Sequence, residues 1–177
     1  MNKKAKGAIA AVAAISAAVG AVFLTKKVGA FLKEGRCKEC GKKIDNELFT
    51  IYEPEDMAYL SRDCVDSKFA SRGEVCEDCF DCIYGPAIDA YNGALDASSG
   101  VKIYFKDFQG EVDYVEEVKK VSTECFESKD EALYAIKTMA AYLECDIVFD
   151  VEFFSEVINE QSGKRVMYKV KGIIAKS

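Results

Sequence analysis

Two pairs of cysteines constrain this chain more than any other feature: Cys37-Lys38-Glu39-Cys40 and Cys76-Glu77-Asp78-Cys79. Two thiolates three positions apart can grip one metal ion from a single tight turn. Gly41, directly after Cys40, leaves the backbone free to point amides at the sulfurs. Gly73 marks a turn ahead of the second pair, and a helix opening near Cys76 would present its positive end to those thiolates. Two such halves make a tetrahedral four-cysteine site, the closed arrangement of a structural Zn2+. A site filled by four thiolates keeps no position for water or substrate, so it contributes folding energy rather than catalysis.

The chain holds 8 cysteines and no histidine. Ser-His-Asp and Cys-His mechanisms are therefore excluded. Six of the cysteines fall between residues 37 and 82, so Cys64 and Cys82 are alternates for any one of the four ligand positions. Ser61-Arg62-Asp63-Cys64 has the spacing of a pair that has lost one thiolate. Two other readings use the same residues. Cys76, Cys79 and Cys82 fit a membrane-tethered redox pair with a resolving thiol. A metal sensor or carrier would bind exchangeably through Cys64 and Cys82. Redox pairs of this spacing normally stand alone within a βαβ pattern, whereas here two pairs flank a spacer, which favours zinc. Cys125 and Cys145 lie apart; Cys145, at a helix–strand junction, reads as a core residue.

The stretch from Cys37 to Cys82 resembles the zinc-ribbon and treble-clef (LIM-like) class. Members read C-x-x-C-G-K-K-I, then a short hairpin, then C-x-x-C-F, and the matching residues are Cys37, Cys40, Gly41, Ile44, Cys76, Cys79 and Phe80. The resemblance covers about a quarter of the chain. The chain departs from the class in its spacer, 35 residues long where the simplest ribbons have ~15–20.

Charge divides the chain. Residues 1–36 carry seven basic residues and Glu34 as their one acid, a net +6; with −6 for the whole chain, residues 37–177 carry −12. A body so acidic repels phosphate backbones, so no nucleic-acid partner is expected. Residues 7–24, GAIAAVAAISAAVGAVFL, contain no charge and are flanked by Lys3, Lys4 and Lys6 on one side and Lys26 and Lys27 on the other. As a helix they span about 27 Å, enough to cross a hydrocarbon core. We expect a single-pass anchor here rather than a cleaved signal or an alanine-rich soluble helix, because the run is long for a signal core and a lysine pair follows it. The excess of lysine and arginine after the run, and thiols that must stay reduced to hold zinc, both place the body in the cytoplasm.

Beyond the cysteines, residues 86–100 contain Pro86, Gly93, Gly100 and many small residues, and read as a linker with a short helix. Val101, Ile103 and Phe105 alternate with Lys102, Tyr104 and Lys106, as in a strand. Residues 112–126 fit either a helical face through Val115, Val118 and Val121 or a valine-rich strand, and stay open. Ser128 to Glu131 is a capping box. The helix after it carries Ala132, Ile136, Met139, Ala140 and Leu143 on one face. A strong strand follows through Ile147, Val148, Phe149, Val151, Phe153 and Phe154. A turn at 161–164 returns the chain into a strand with Val166, Tyr168 and Val170 on one face and Gly172 as a candidate bulge.

From residue 128 to residue 175 this order resembles the YbjQ-like family, once called heavy-metal-binding, through Ala132, Ala140, Asp146, Val148, Val151, Gly172 and Ile174. The chain departs from it at the junctions. Glu144-Cys145 replaces the family's Gly-Ala, and Asp150 replaces a second junctional glycine. The resemblance implies homo-oligomerisation through the sheet, here residues 101–177, and no defined reaction.

The whole is expected to be α+β: a membrane anchor with basic flanks (1–30), a four-cysteine zinc module (31–85), a linker (86–100), and a helix packed on an antiparallel sheet (101–177). The carboxylate pairs Glu55/Asp56, Glu116/Glu117 and Asp130/Glu131 sit in no glycosidase or metal context, and no glycine loop that could cradle a phosphate occurs. A non-enzymatic protein is the expectation.

Overall fold

The computed structural model describes residues 35–44, 49–160 and 163–177. The expected transmembrane segment, residues 7–24, lies outside them. Among the described residues no helix is long and apolar enough to cross a membrane.

The fold is α+β. It begins with a turn at residues 37–40, closed by a bridge between Arg36 and Lys43. Strand β1 (Phe49–Tyr52) pairs antiparallel with β2 (Gly73–Cys76), in register Phe49 to Cys76. The long connection between them is held inward by Met57, Leu60 and Phe69, all buried. The buried Tyr52 hydroxyl donates to the Phe69 carbonyl at 2.9 Å, tying that loop to the strand.

Cys76 is the N-cap residue of the short helix α1 (Glu77–Cys79), so the helix opens where the second cysteine pair predicts. A π-turn (Phe80–Tyr84) carries the backbone directly into helix α2 (Gly85–Ala97). The short helix expected within residues 86–100 is α2, 13 residues long and beginning at Gly85. Pro86 falls in the first turn, where its missing N–H costs nothing. Ile88, Tyr91 and Ala94, at helical spacing, are buried.

A four-stranded sheet follows, ordered β3 (Lys102–Phe105), β5 (Ile147–Glu160), β6 (Gly163–Lys176), β4 (Glu116–Ser122). It is mixed, not antiparallel: β3 runs parallel to β5, while β5 and β4 both pair antiparallel with β6. Alternation of apolar and polar residues marks a strand but not its direction. Direction was decided here by the crossover, which returns the chain through β4 and helix α3 before β5 is laid beside β3. The open stretch 112–126 contains the edge strand β4, in which Val121 is the one buried side chain. Its lysines and glutamates suit an edge that must not recruit further strands.

Helix α3 (Lys129–Tyr142) starts at the expected capping box: Glu131 N donates to Ser128 Oγ at 3.1 Å, and Ser128 N donates to Glu131 Oε2 at 3.3 Å. Ala132, Ile136, Met139 and Ala140 are buried, with Leu143 half-buried. They pack on the sheet face that carries Val148, Val170 and Ile174, also buried.

The bulge lies opposite the residue that composition points to. The β5–β6 register shifts between Phe149 and Glu152, so the extra residue is in β5, facing Gly172. Asp150 there has φ 52°, and Glu144 at the helix–strand junction has φ 55°. Both hold the left-handed backbone that glycine favours.

Residues 35–177 form one compact unit. A continuous core runs from Cys37 through Tyr52, Val75 and Tyr84 to Ile136, Val148 and Ile174. Aromatic contacts join its halves: Tyr59 stacks on Phe126, with centroids 5.7 Å apart, and meets Tyr134 edge-on at 5.1 Å.

Candidate metal centre

The turn that carries Cys37 and Cys40 is closed by its own backbone. Gly41 N donates to Cys37 O at 2.9 Å, and Cys37 N donates to Lys42 O at 2.9 Å. Gly41 has φ 70°, a conformation that a side chain would strain. Lys38 N donates to Glu74 O at 3.0 Å and docks the turn beside β2. Cys76 ends β2 and Cys79 closes the first helical turn after it, so both pairs meet at one end of the small sheet.

The sulfurs of Cys37, Cys40, Cys76 and Cys79 lie within 4.8 Å of one another. All four cysteines are free thiols. Cys40 Sγ and Cys76 Sγ are 3.8 Å apart, far beyond a disulfide bond. A tetrahedral ion with Zn–S bonds near 2.3 Å sets its sulfurs about 3.8 Å apart, so the donor set fits a single ion of that size. Cys37 is buried, Cys76 and Cys79 half-buried, and Cys40 exposed.

The thiols of Cys37, Cys76 and Cys79 compete for charge. Burial pushes the Cys37 thiol up, but backbone hydrogen bonds from Cys40, Cys76 and Glu39 outweigh it and leave it at about 6. Cys79 is pushed well above the usual thiol range, first by its hydrogen bond with the Cys76 thiol and then by burial. Cys37 forms its thiolate readily and Cys76 and Cys79 then resist, because like charges in so small a space repel. A cation is what allows all four to ionise. Lys42 flanks the site with its Nζ 3.3 Å from Asp78, and its ammonium is stabilised by that bond, by Asp78's charge and by Cys40 and Cys76.

The alternates stand apart from this group. Cys64 closes a turn with Ser61, whose Oγ donates to Cys64 Sγ at 3.6 Å, and burial pushes the Cys64 thiol up. Cys82 is exposed within the π-turn and outside the four-sulfur cluster. Cys145 is a core residue as expected, its Sγ donating to Leu143 O at 3.2 Å. The residues that motif reading missed are the pair inside the first motif, Lys38 and Glu39, and their partner Tyr84. The hydroxyl of Tyr84 donates to Glu39 Oε1 at 2.5 Å. Nothing in the spacing of Lys38, Glu39 and Tyr84 marks them, because their contacts join segments 30 to 45 residues apart.

No protein family, curated protein or solved structure matches the chain. The site therefore stands on its own geometry: four cysteines close enough to bind one metal ion, on a mixed helix-and-sheet fold.

Proposed function

We propose that this chain is a zinc-binding, non-enzymatic protein, anchored in the cell membrane by residues 7–24, with its body in the cytoplasm. Cys37, Cys40, Cys76 and Cys79 hold one structural Zn2+, and the α+β part at residues 101–177 makes contacts with other copies of the chain. The carrying observation is the four-sulfur cluster, with the two halves of the motif 3.8 Å apart at Cys40 and Cys76. A turn, a two-stranded sheet and then a helix bearing the second pair is the order of a treble clef, which supports that reading of the module. The two left-handed junction residues, Glu144 and Asp150, support the likeness to the YbjQ-like family. The anchor rests on the uncharged run and its lysine flanks.

The test is metal analysis of the full chain, purified in detergent under reducing conditions. About one zinc per chain is expected, lost on Cys40→Ser or Cys76→Ser, together with lower thermal stability. A metal-free protein whose Cys76, Cys79 and Cys82 cycle between thiol and disulfide would overturn it in favour of thiol redox chemistry.

A further inference from the structure

The two residues between Cys37 and Cys40 both contact the body of the fold, Lys38 from an exposed position and Glu39 half-buried. Lys38 places its ammonium over the rings of Tyr52 and Tyr84, 5.6 and 5.5 Å from their centroids. The same ammonium donates to the carbonyls of Lys68 at 2.8 Å and Ser71 at 2.7 Å. Its stem lies along Gly73, where a Cβ would collide with Lys38 Cδ. Glu39 accepts the hydrogen bond from Tyr84. Tyr52 and Tyr84 are fully buried and pack with Phe69, with centroid separations of 4.6, 5.3 and 5.9 Å among the three rings.

The π-turn explains how Tyr84 reaches this place. Gly85 N donates to Phe80 O, a closure five residues back. Residues five apart in such a turn come to one side of the helix, whereas in a regular α-helix they diverge by about 140°. Cys79 and Tyr84 are five apart, so the extra residue lets one helix serve the metal site with its thiol and the first turn with its hydroxyl.

We infer that Lys38 and Tyr84 are the positioning residues of the metal centre: they seat the Cys37–Cys40 turn on the Tyr52–Phe69–Tyr84 cluster, so that the first thiol pair faces the second before an ion arrives. The inference rests on the four-cysteine metal reading above. Without these struts, ion binding must also order the turn, and affinity falls by that cost.

The experiment uses the full chain in detergent, loaded with Zn2+ and challenged with a chromophoric chelator, and in parallel loaded with Co2+ for its tetrahedral thiolate spectrum. Lys38→Met and Tyr84→Phe are expected to weaken Zn2+ about tenfold and to speed its release. Both should keep one ion per chain and the wild-type Co2+ spectrum, since every ligand remains. Lys38→Arg, which keeps the cation, is expected to restore most of the loss. Wild-type affinity and release rate in both Lys38→Met and Tyr84→Phe overturn the inference alone. So does a Lys38→Arg as weak as Lys38→Met, because then the charge does not seat the turn. A wild-type chain that takes up no ion overturns the metal reading itself, and this inference with it. Should Lys38→Met fail to fold, Tyr84→Phe, which removes a single oxygen, decides.

Discussion

Ile136 Cδ1, on helix α3, lies 3.2 Å from the point where a Cβ on Gly172 would stand. Val148 Cγ1 is 2.9 Å from the same point, and the carbonyl oxygen of Phe149 is 3.3 Å from it. The helix reaches the sheet at that spot because Gly172 has no side chain. Gly172→Ala is expected to destabilise the fold by about 1–3 kcal/mol, since Val148 Cγ1, on a short, fully buried β-branched side chain, must shift and has little room to do so. Urea unfolding followed by circular dichroism measures it, and an unchanged midpoint would contradict the packing described.

Glu144 and Asp150 hold φ values of 55° and 52°, a backbone that costs a side-chain-bearing residue free energy. Both side chains are exposed, so little packing is lost on removing them. Glu144→Gly and Asp150→Gly are each expected to leave stability unchanged or raise it by up to about 1 kcal/mol. Asp150→Val should lower it by more than that, because a β-branched residue tolerates the left-handed region worst. Thermal melts of the three variants rank them, and Asp150→Gly below Asp150→Val would refute the strain argument.

Cys64 and Cys82 lie outside the four-sulfur group. Cys64→Ser and Cys82→Ser are expected to keep the wild-type metal content, whereas Cys37→Ser and Cys79→Ser should lose it. Metal content per chain after gel filtration, measured for all four variants, checks this. A loss of metal in Cys82→Ser would mean that a different set of thiols holds the ion.

The Asp146 carboxyl is held below its ordinary value of 3.8, first by the Ser177 hydroxyl and then by the Ser177 backbone N–H. The distances are 2.5 and 2.8 Å. A lowered folded value means that the unfolded chain binds the proton first. The contribution to stability is thus complete above pH 3.8 and is lost as pH falls through the lower folded value. Asp146 is partly open to water, so the stability term is small and the titration is the sharper measurement. Carboxyl chemical shifts should show Asp146 titrating at higher pH in Ser177→Ala than in wild type. Identical titrations would count against the bond.

Much of the local structure was legible in the chain. Cys37-x-x-Cys40-Gly41 is a turn because glycine permits φ 70°, and the helix after Cys76 was readable from the second motif. The capping box at Ser128 and Glu131 placed the start of α3, and the stripe from Ala132 to Ala140 named its buried face. These signals act between residues a few positions apart. The short helix expected within 86–100 is present, and its length was not legible, because small residues also serve a helix that gains stability by packing, here through Tyr91 and Ala94.

Sequence by itself determined which thiols come in pairs, where the long helix begins and which of its faces is buried, since each follows from spacing along one segment. Only tertiary structure decided that Cys37 and Cys40 meet Cys76 and Cys79 rather than Cys64 or Cys82. It also decided that β3 lies parallel to β5, that the bulge falls opposite Gly172, and that Lys38 and Tyr84 brace the first turn. Those outcomes depend on which distant surfaces exclude water together, and that is a property of the packed core and not of any one stretch of chain.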